Sequence, residues 1–68
     1  MNANLLKAKM AELGLTQKET AKEIGISLSR FNAKITGNRG AEFTIGDVCM
    51  LKQVLKLDAS QVDAIFFA

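Results

Sequence analysis

Apolar residues recur along this chain at intervals of three and four, the spacing that gathers them on one face of a helix. Leu6, Met10 and Leu13 fall at i, i+4 and i+7, with Lys7, Lys9 and Glu12 on the other faces. Asn2 or Asn4 offers a cap for the start of this first helix. Gly14 suits the left-handed residue just past its end. Thr16-Gln17-Lys18-Glu19 then has the form of a capping box, in which the Thr hydroxyl and the Glu carboxylate each accept from the other's backbone N–H. A second helix therefore starts at Thr16, preceded by Leu15, with Ala21 and Ile24 on its apolar face and Gly25 as its stop. Only Gly25 and Ile26 separate it from the next cap, Ser27. So short a connection makes two helices cross sharply. The third helix runs from about Ser27 to Thr36, with Phe31 and Ile35 stacked at i, i+4 and Leu28 one turn before Phe31. Gly37-Asn38-Arg39-Gly40 reads as a turn or loop.

A second box-like start, Thr44-Ile45-Gly46-Asp47, opens the fourth helix, whose buried face is Val48, Leu51 and Leu55. Phe43, Ile45 and Val48 are expected in the core. Asp58-Ala59-Ser60 caps a short fifth helix, with Val62, Ile65 and Phe66 at i, i+3 and i+4. No strand-like alternation, repeat or linker interrupts the pattern. The expectation is a single all-α domain over residues 1–68, built from five short helices.

Composition narrows the chemistry. With 68 residues the chain is one domain with a small core, and 49% apolar residues suffice to fill it. Histidine is absent, which removes the commonest general base and metal ligand together. Cys49 is the only cysteine, so neither an internal disulfide nor a thiolate metal cluster can form. Its neighbours Val48, Met50 and Leu51 make it an expected buried apolar residue. No carboxylate pair in an apolar setting and no phosphate-cradling glycine loop is present, so an enzyme is not expected. No cofactor or metal is expected either. The longest apolar runs, such as residues 64–68, are too short to span a bilayer, and the amino terminus lacks the apolar segment of a signal peptide. These features lead to an expected soluble, cytoplasmic protein with no membrane partner.

The net charge is only +2, but it is unevenly spread. Residues 1–40 hold seven Lys/Arg against three Glu, a net of +4. Residues 41–68 hold two Lys against four acidic residues, a net of −2. A basic amino-terminal half suits a phosphate backbone.

The stretch from Leu15 to Phe31 resembles the Cro/phage-repressor helix-turn-helix family. Gln17 opens the second helix, Ala21 is small where two helices touch, Gly25 sits in the turn, Ile26 is the apolar anchor after it, and Phe31 is the buried residue of the next helix. Leu15-Thr16-Gln17 with Gly25-Ile26-Ser27 at this spacing is the most specific part. One helix before the motif and two after it extend the likeness over nearly all 68 residues. The tail from Leu57 to Phe67 looks, more loosely, like that of small phage-encoded regulators. The resemblance implies a five-helix lambda-repressor-like DNA-binding domain, with the helix-turn-helix at helices 2 and 3, in a phage or prophage regulator. Two positions depart from the family pattern. Thr20 stands where a leucine is usual, and Lys34 where a core aliphatic is usual, with Ile35 next to it. A small rotation of helix 3 would let Ile35 take the core role and would also change which side chains face a groove.

Carried across position by position, the resemblance implies that helix 3 enters the major groove amino end first. Ser27, Leu28, Ser29, Asn32 and Ala33 then lie toward base edges: Asn32 for adenine, Ser29 for several bases, Leu28 or Ala33 for a thymine methyl. Gln17, with the N–H groups that open helix 2, is implied to meet a phosphate, and Lys18, Arg30, Lys34, Asn38 and Arg39 are further phosphate candidates. Each has a plainer role beside it. Ser27 caps a helix in any case, Leu28 can be core, Arg30 and Lys34 can be solvated charges, and Asn38 can serve only its turn.

Ile65, Phe66 and Phe67 point to more than one helix face. They are either a core-closing helix with a frayed end or a surface for another chain. A symmetric homodimer would set two recognition helices roughly 34 Å apart on a palindromic operator. The expected partner is double-stranded operator DNA, with a homodimer or a second phage regulator protein as further candidates. The leading functional expectation is a sequence-specific transcriptional regulator. The competing one is a protein-binding module, of anti-repressor or antitoxin type, that uses the carboxy-terminal apolar surface.

Overall fold

Each helix in the structure, a computed structural model that describes residues 1–67, begins on a side chain that closes its first turn. Asn2 accepts from the Leu5 N–H at 3.1 Å to start α1 (Ala3–Glu12). Thr16 accepts from the Glu19 N–H at 3.1 Å, and Glu19 accepts from the Thr16 N–H at 3.0 Å. This is the full capping box of α2 (Gln17–Glu23). Ser27 caps α3 (Leu28–Thr36) through the Arg30 N–H at 3.1 Å. Thr44 and Asp47 form a second reciprocal box on α4 (Ile45–Val54), and Asp58 with Gln61 forms a third on α5 (Ala59–Val62). A π-helical turn, Asp63–Phe67, continues α5, and a short 3-10 turn, Asn38–Gly40, follows α3. The described residues form an all-helical body with a Cα radius of gyration of 10.7 Å.

Three of the junctions are built alike. After α1, α2 and α4 the chain takes one residue in the left-handed region, then an apolar residue, then the next cap. The three junctions are Gly14-Leu15-Thr16, Gly25-Ile26-Ser27 and Lys56-Leu57-Asp58. In each, the apolar residue's N–H reaches back to a helix carbonyl: Leu15 to Met10, Ile26 to Ala21, Leu57 to Lys52. This is the Schellman closure, which satisfies the last carbonyls of the helix and turns the chain toward the core at once. Leu57 is buried, and Leu15 and Ile26 pack against the core, so each short connection is pinned by its own apolar anchor.

Leu6 and Met10 of α1, Ala21 and Ile24 of α2, Phe31 and Ile35 of α3, Leu51 and Leu55 of α4, and Ile65 make one core with Leu57. The Asn2 N–H donates to the Ile65 carbonyl at 2.6 Å, which ties the amino end to the last turn. Phe43 links Phe31 to Phe66 by two edge-to-face contacts, with ring centroids 5.6 and 6.0 Å apart. Thr20, where the family pattern has a leucine, is fully buried. Its hydroxyl donates to the Thr16 carbonyl one turn back at 2.9 Å, so a polar atom sits in the core without losing its partner.

Three core expectations are corrected. Ile45 is 71% exposed. It occupies the first position of α4 and lines an open cleft with Phe43 and Phe67, with no further element among the described residues packed over it. Cys49 is exposed, one residue round from the buried Val48–Leu51–Leu55 face, so its apolar neighbours in sequence are not its neighbours in space. Leu13 is also exposed: it is the C-cap residue of α1, and Leu15, two residues on, is the one that packs against the core there. No helix among the described residues is long and apolar enough to cross a membrane.

Candidate nucleic-acid interface

Helix α3 divides cleanly by angle. At 100° per residue, Phe31 and Ile35 lie within about 40° of each other and face the core. Leu28, Ser29, Asn32, Ala33 and Thr36 spread over about 140° of the helix, from Leu28 next to Ile35 round to Ala33. These five, together with Asn38 from the 3-10 turn, line one shallow open groove. Four of the five residues expected at base edges are therefore brought together, and Asn38 joins them although it was expected at a phosphate. Leu28, for which core and surface both stood open, is 40% exposed and sits at the groove's edge. Ser27 lies at the head of the helix, its oxygen accepting from the Arg30 N–H, with the hydroxyl proton left to donate outward.

Thr36 belongs to the groove and was not among the expected contacts. Its position is legible in the sequence, four residues after Asn32 and seven after Ser29. Its hydroxyl donates to the Asn32 carbonyl at 2.9 Å, which leaves the γ-methyl as its distinctive free group.

Lys34 is corrected outright. Its ammonium is paired with the Asp47 carboxylate across the α3–α4 contact, and the two side chains are only 11% and 14% exposed. The same ammonium lies 6.0 Å from the centre of the Phe43 ring. Ile35 is buried, so the small rotation of α3 that the sequence left open is the one adopted, and it turns Lys34 toward α4 and away from the groove. The Asp47 oxygen that receives Lys34 also accepts the Thr44 N–H at 2.9 Å. Burial pushes the Asp47 carboxyl up. The hydrogen bond from Lys34, the one from the Thr44 backbone, the Lys34 charge and the Thr44 hydroxyl outweigh it and hold the carboxyl below its ordinary value.

The cations of α2, α3 and the 3-10 turn other than Lys34 stay uncommitted. Among the described residues only Lys9–Glu12 and Lys34–Asp47 form ion pairs, so Lys18 on α2, Arg30 on α3 and Arg39 in the 3-10 turn are exposed without one. Lys22 shares that state and was not singled out from the sequence. Arg39 adopts a left-handed backbone, φ 54, inside the turn that carries Asn38. Gln17 is half-buried at the first position of α2. The Glu19 carboxylate stands at that same helix end and is held below its ordinary pKa by hydrogen bonds from the Thr16 backbone and side chain. A phosphate at Gln17 therefore meets a nearby negative charge.

At the other end of the molecule, Ile65 is corrected from a surface candidate to a buried core residue, and Phe66 is half-buried in the aromatic stack. Phe67 alone of the three is exposed, at 61%, and it borders a cleft shared with Met1, Phe43, Ile45 and Val48. Among the described residues no cluster of three or more His, Cys, Asp or Glu is placed to hold a metal ion. Comparison with family models, curated proteins and solved structures returns no match to this chain.

Proposed function

We propose that this chain is a sequence-specific DNA-binding regulator of helix-turn-helix type, in which α2 and α3 form the motif and α3 enters the major groove. The observation that carries the reading is the groove along α3. It collects Leu28, Ser29, Asn32, Ala33, Thr36 and Asn38, all short polar or methyl-bearing side chains, on a helix that Phe31 and Ile35 lock into the core. A rigid helix with such a face suits direct contact with base edges. Arg30, Arg39 and Lys18, exposed and unpaired, supply the cations that a phosphate backbone requires. The resemblance of residues 15–31 to phage repressors adds the expectation of a lambda-repressor-like arrangement and of a phage or prophage regulator. Such a protein works in the cytoplasm and is not an enzyme.

The test is binding of short duplexes, followed by fluorescence anisotropy over a range of salt. Affinity should fall steeply with salt, with a log–log slope of about 0.9 per phosphate neutralised. Arg39→Ala should reduce that slope by about one. Lys34→Met should leave the slope unchanged, because Lys34 is already paired with Asp47. Equal affinity for every duplex would overturn sequence-specific binding.

A second reading rests on the cleft between α3, α4 and the last turn. Ile45 and Phe67 are among the most exposed large apolar side chains, and Met1 lies beside them. Such a surface suits a protein partner, either a second copy of the chain or another regulator. Sedimentation at micromolar concentration tests the homodimer, and a pull-down lost on Phe67→Ser, without a duplex shift, would favour the protein-binding role alone.

A further inference from the structure

We infer that the groove on α3 reads A·T base pairs, so that the core of the preferred half-site is A·T-rich and is recognised from the major-groove side. The inference rests on the DNA-binding reading above and names the class of sequence that reading leaves open.

The groove contains no charged side chain. Its chemistry is two carboxamides, Asn32 and Asn38, the Ser29 hydroxyl, and the alkyl groups of Leu28, Ala33 and Thr36. In the major groove a G·C pair presents two acceptors on guanine, matched best by a guanidinium or ammonium, and a donor on cytosine, matched best by a carboxylate. Neither counterpart lines this groove. Arg30 falls about 130° round α3 from the groove's centre, on the flank toward α4. Lys34 lies further round and is held by Asp47. An A·T pair presents an adjacent acceptor and donor on adenine, which a carboxamide matches with both of its ends, and a methyl group on thymine, which only an apolar surface rewards. The groove offers both. Asn32 stands mid-helix with its carboxamide in the groove, and alkyl groups stand on either side of it at Leu28, Ala33 and Thr36. Thr36 adds to the apolar share because its hydroxyl proton is committed to the Asn32 carbonyl.

Selection of bound sequences from a random duplex library tests this with the whole chain. The expected result is a recovered core of A·T pairs. Replacing those pairs by inosine·cytosine preserves the minor-groove pattern of A·T while presenting the major-groove pattern of G·C. It should weaken binding about five- to 140-fold per adenine contact. Replacing thymine by uracil, which removes only the methyl, should also weaken binding. Asn32→Ala, on an exposed helix position, should keep its helical circular dichroism and lose the preference for adenine. A recovered core of G·C pairs, unchanged binding on inosine substitution, or an Asn32→Ala variant that selects the same sites would overturn the inference while leaving DNA binding intact. Retention of no duplex at low salt would overturn both.

Discussion

Lys34 and Asp47 join the groove-bearing helix to the start of α4, and a double-mutant cycle measures how much that link is worth. Lys34→Met keeps the length of the side chain beside Phe43 and removes the ammonium. What is lost is one charge-assisted hydrogen bond, about 1.5–3 kcal/mol when its partner is buried. The remaining exposure of the two side chains, 11% and 14%, and the Thr44 N–H that still holds Asp47 place the expected loss at the lower end, about 1.5 kcal/mol. Asp47→Ala loses the same bond and the capping acceptor of α4, worth about 1 kcal/mol, and also leaves a covered ammonium alone. The expected total is about 3 kcal/mol. A domain of this size has roughly 3–10 kcal/mol of stability in all. Asp47→Asn, which retains an acceptor for the Thr44 N–H, is therefore the safer partner in the cycle. At roughly 4–8 °C per kcal/mol, Lys34→Met should lower Tm by about 6–12 °C. Urea unfolding followed by circular dichroism at pH 7, on wild type, Lys34→Met, Asp47→Asn and the double variant, gives the coupling directly. The expectation is about 1–2 kcal/mol. A coupling under about 0.5 kcal/mol would show that the two groups are neighbours without being linked, and that Lys34 is free to serve elsewhere.

The other predictions concern acid and backbone. Asp47 and Glu19 both titrate below their ordinary values of 3.8 and 4.5, so the native state binds fewer protons than the unfolded chain. Their contribution is complete above those values and is lost as pH falls through the lower native ones. Thermal melts from pH 6 to pH 2 should fall below about pH 4.5, less steeply in Lys34→Met. Gly25→Ala should destabilise by about 1–2 kcal/mol, since Gly25 has φ 78 and open space around it, which makes the loss one of backbone conformation alone. An unchanged Tm would contradict that. Lys56→Gly should do the reverse and raise stability by about 0.5–1 kcal/mol, because Lys56 holds φ 53 at the position where α1 and α2 use glycine. A lower Tm would mean that the lysine side chain does something there that the backbone argument misses.

The helices and their ends were written locally. A cap is a side chain hydrogen-bonded three residues on, and a left-handed glycine is a property of one residue. The starts at Thr16, Ser27, Thr44 and Asp58 and the stops at Gly14, Gly25 and Gly37 could therefore be read without knowing where the rest of the chain lay. Lys56 escaped the reading because it takes a glycine's conformation without being one. The groove was half legible. The spacing of Ser29, Asn32 and Thr36 marks a shared face, but which face is turned outward depends on whether Lys34 or Ile35 meets the core. That choice is made by Asp47, thirteen residues away on another helix, which takes the Lys34 ammonium and leaves Ile35 to the core. Ile45 and Cys49 were misread for the same reason. Apolar neighbours in sequence mark a run, but burial requires a second element to lie against it. Sequence determines where this chain coils and where each helix starts and stops, because hydrogen bonds over three or four residues decide that. Which side of α3 is left exposed is a long-range matter, settled by a salt bridge between α3 and α4 and by three phenylalanine rings drawn from α3, the loop after it and the last turn.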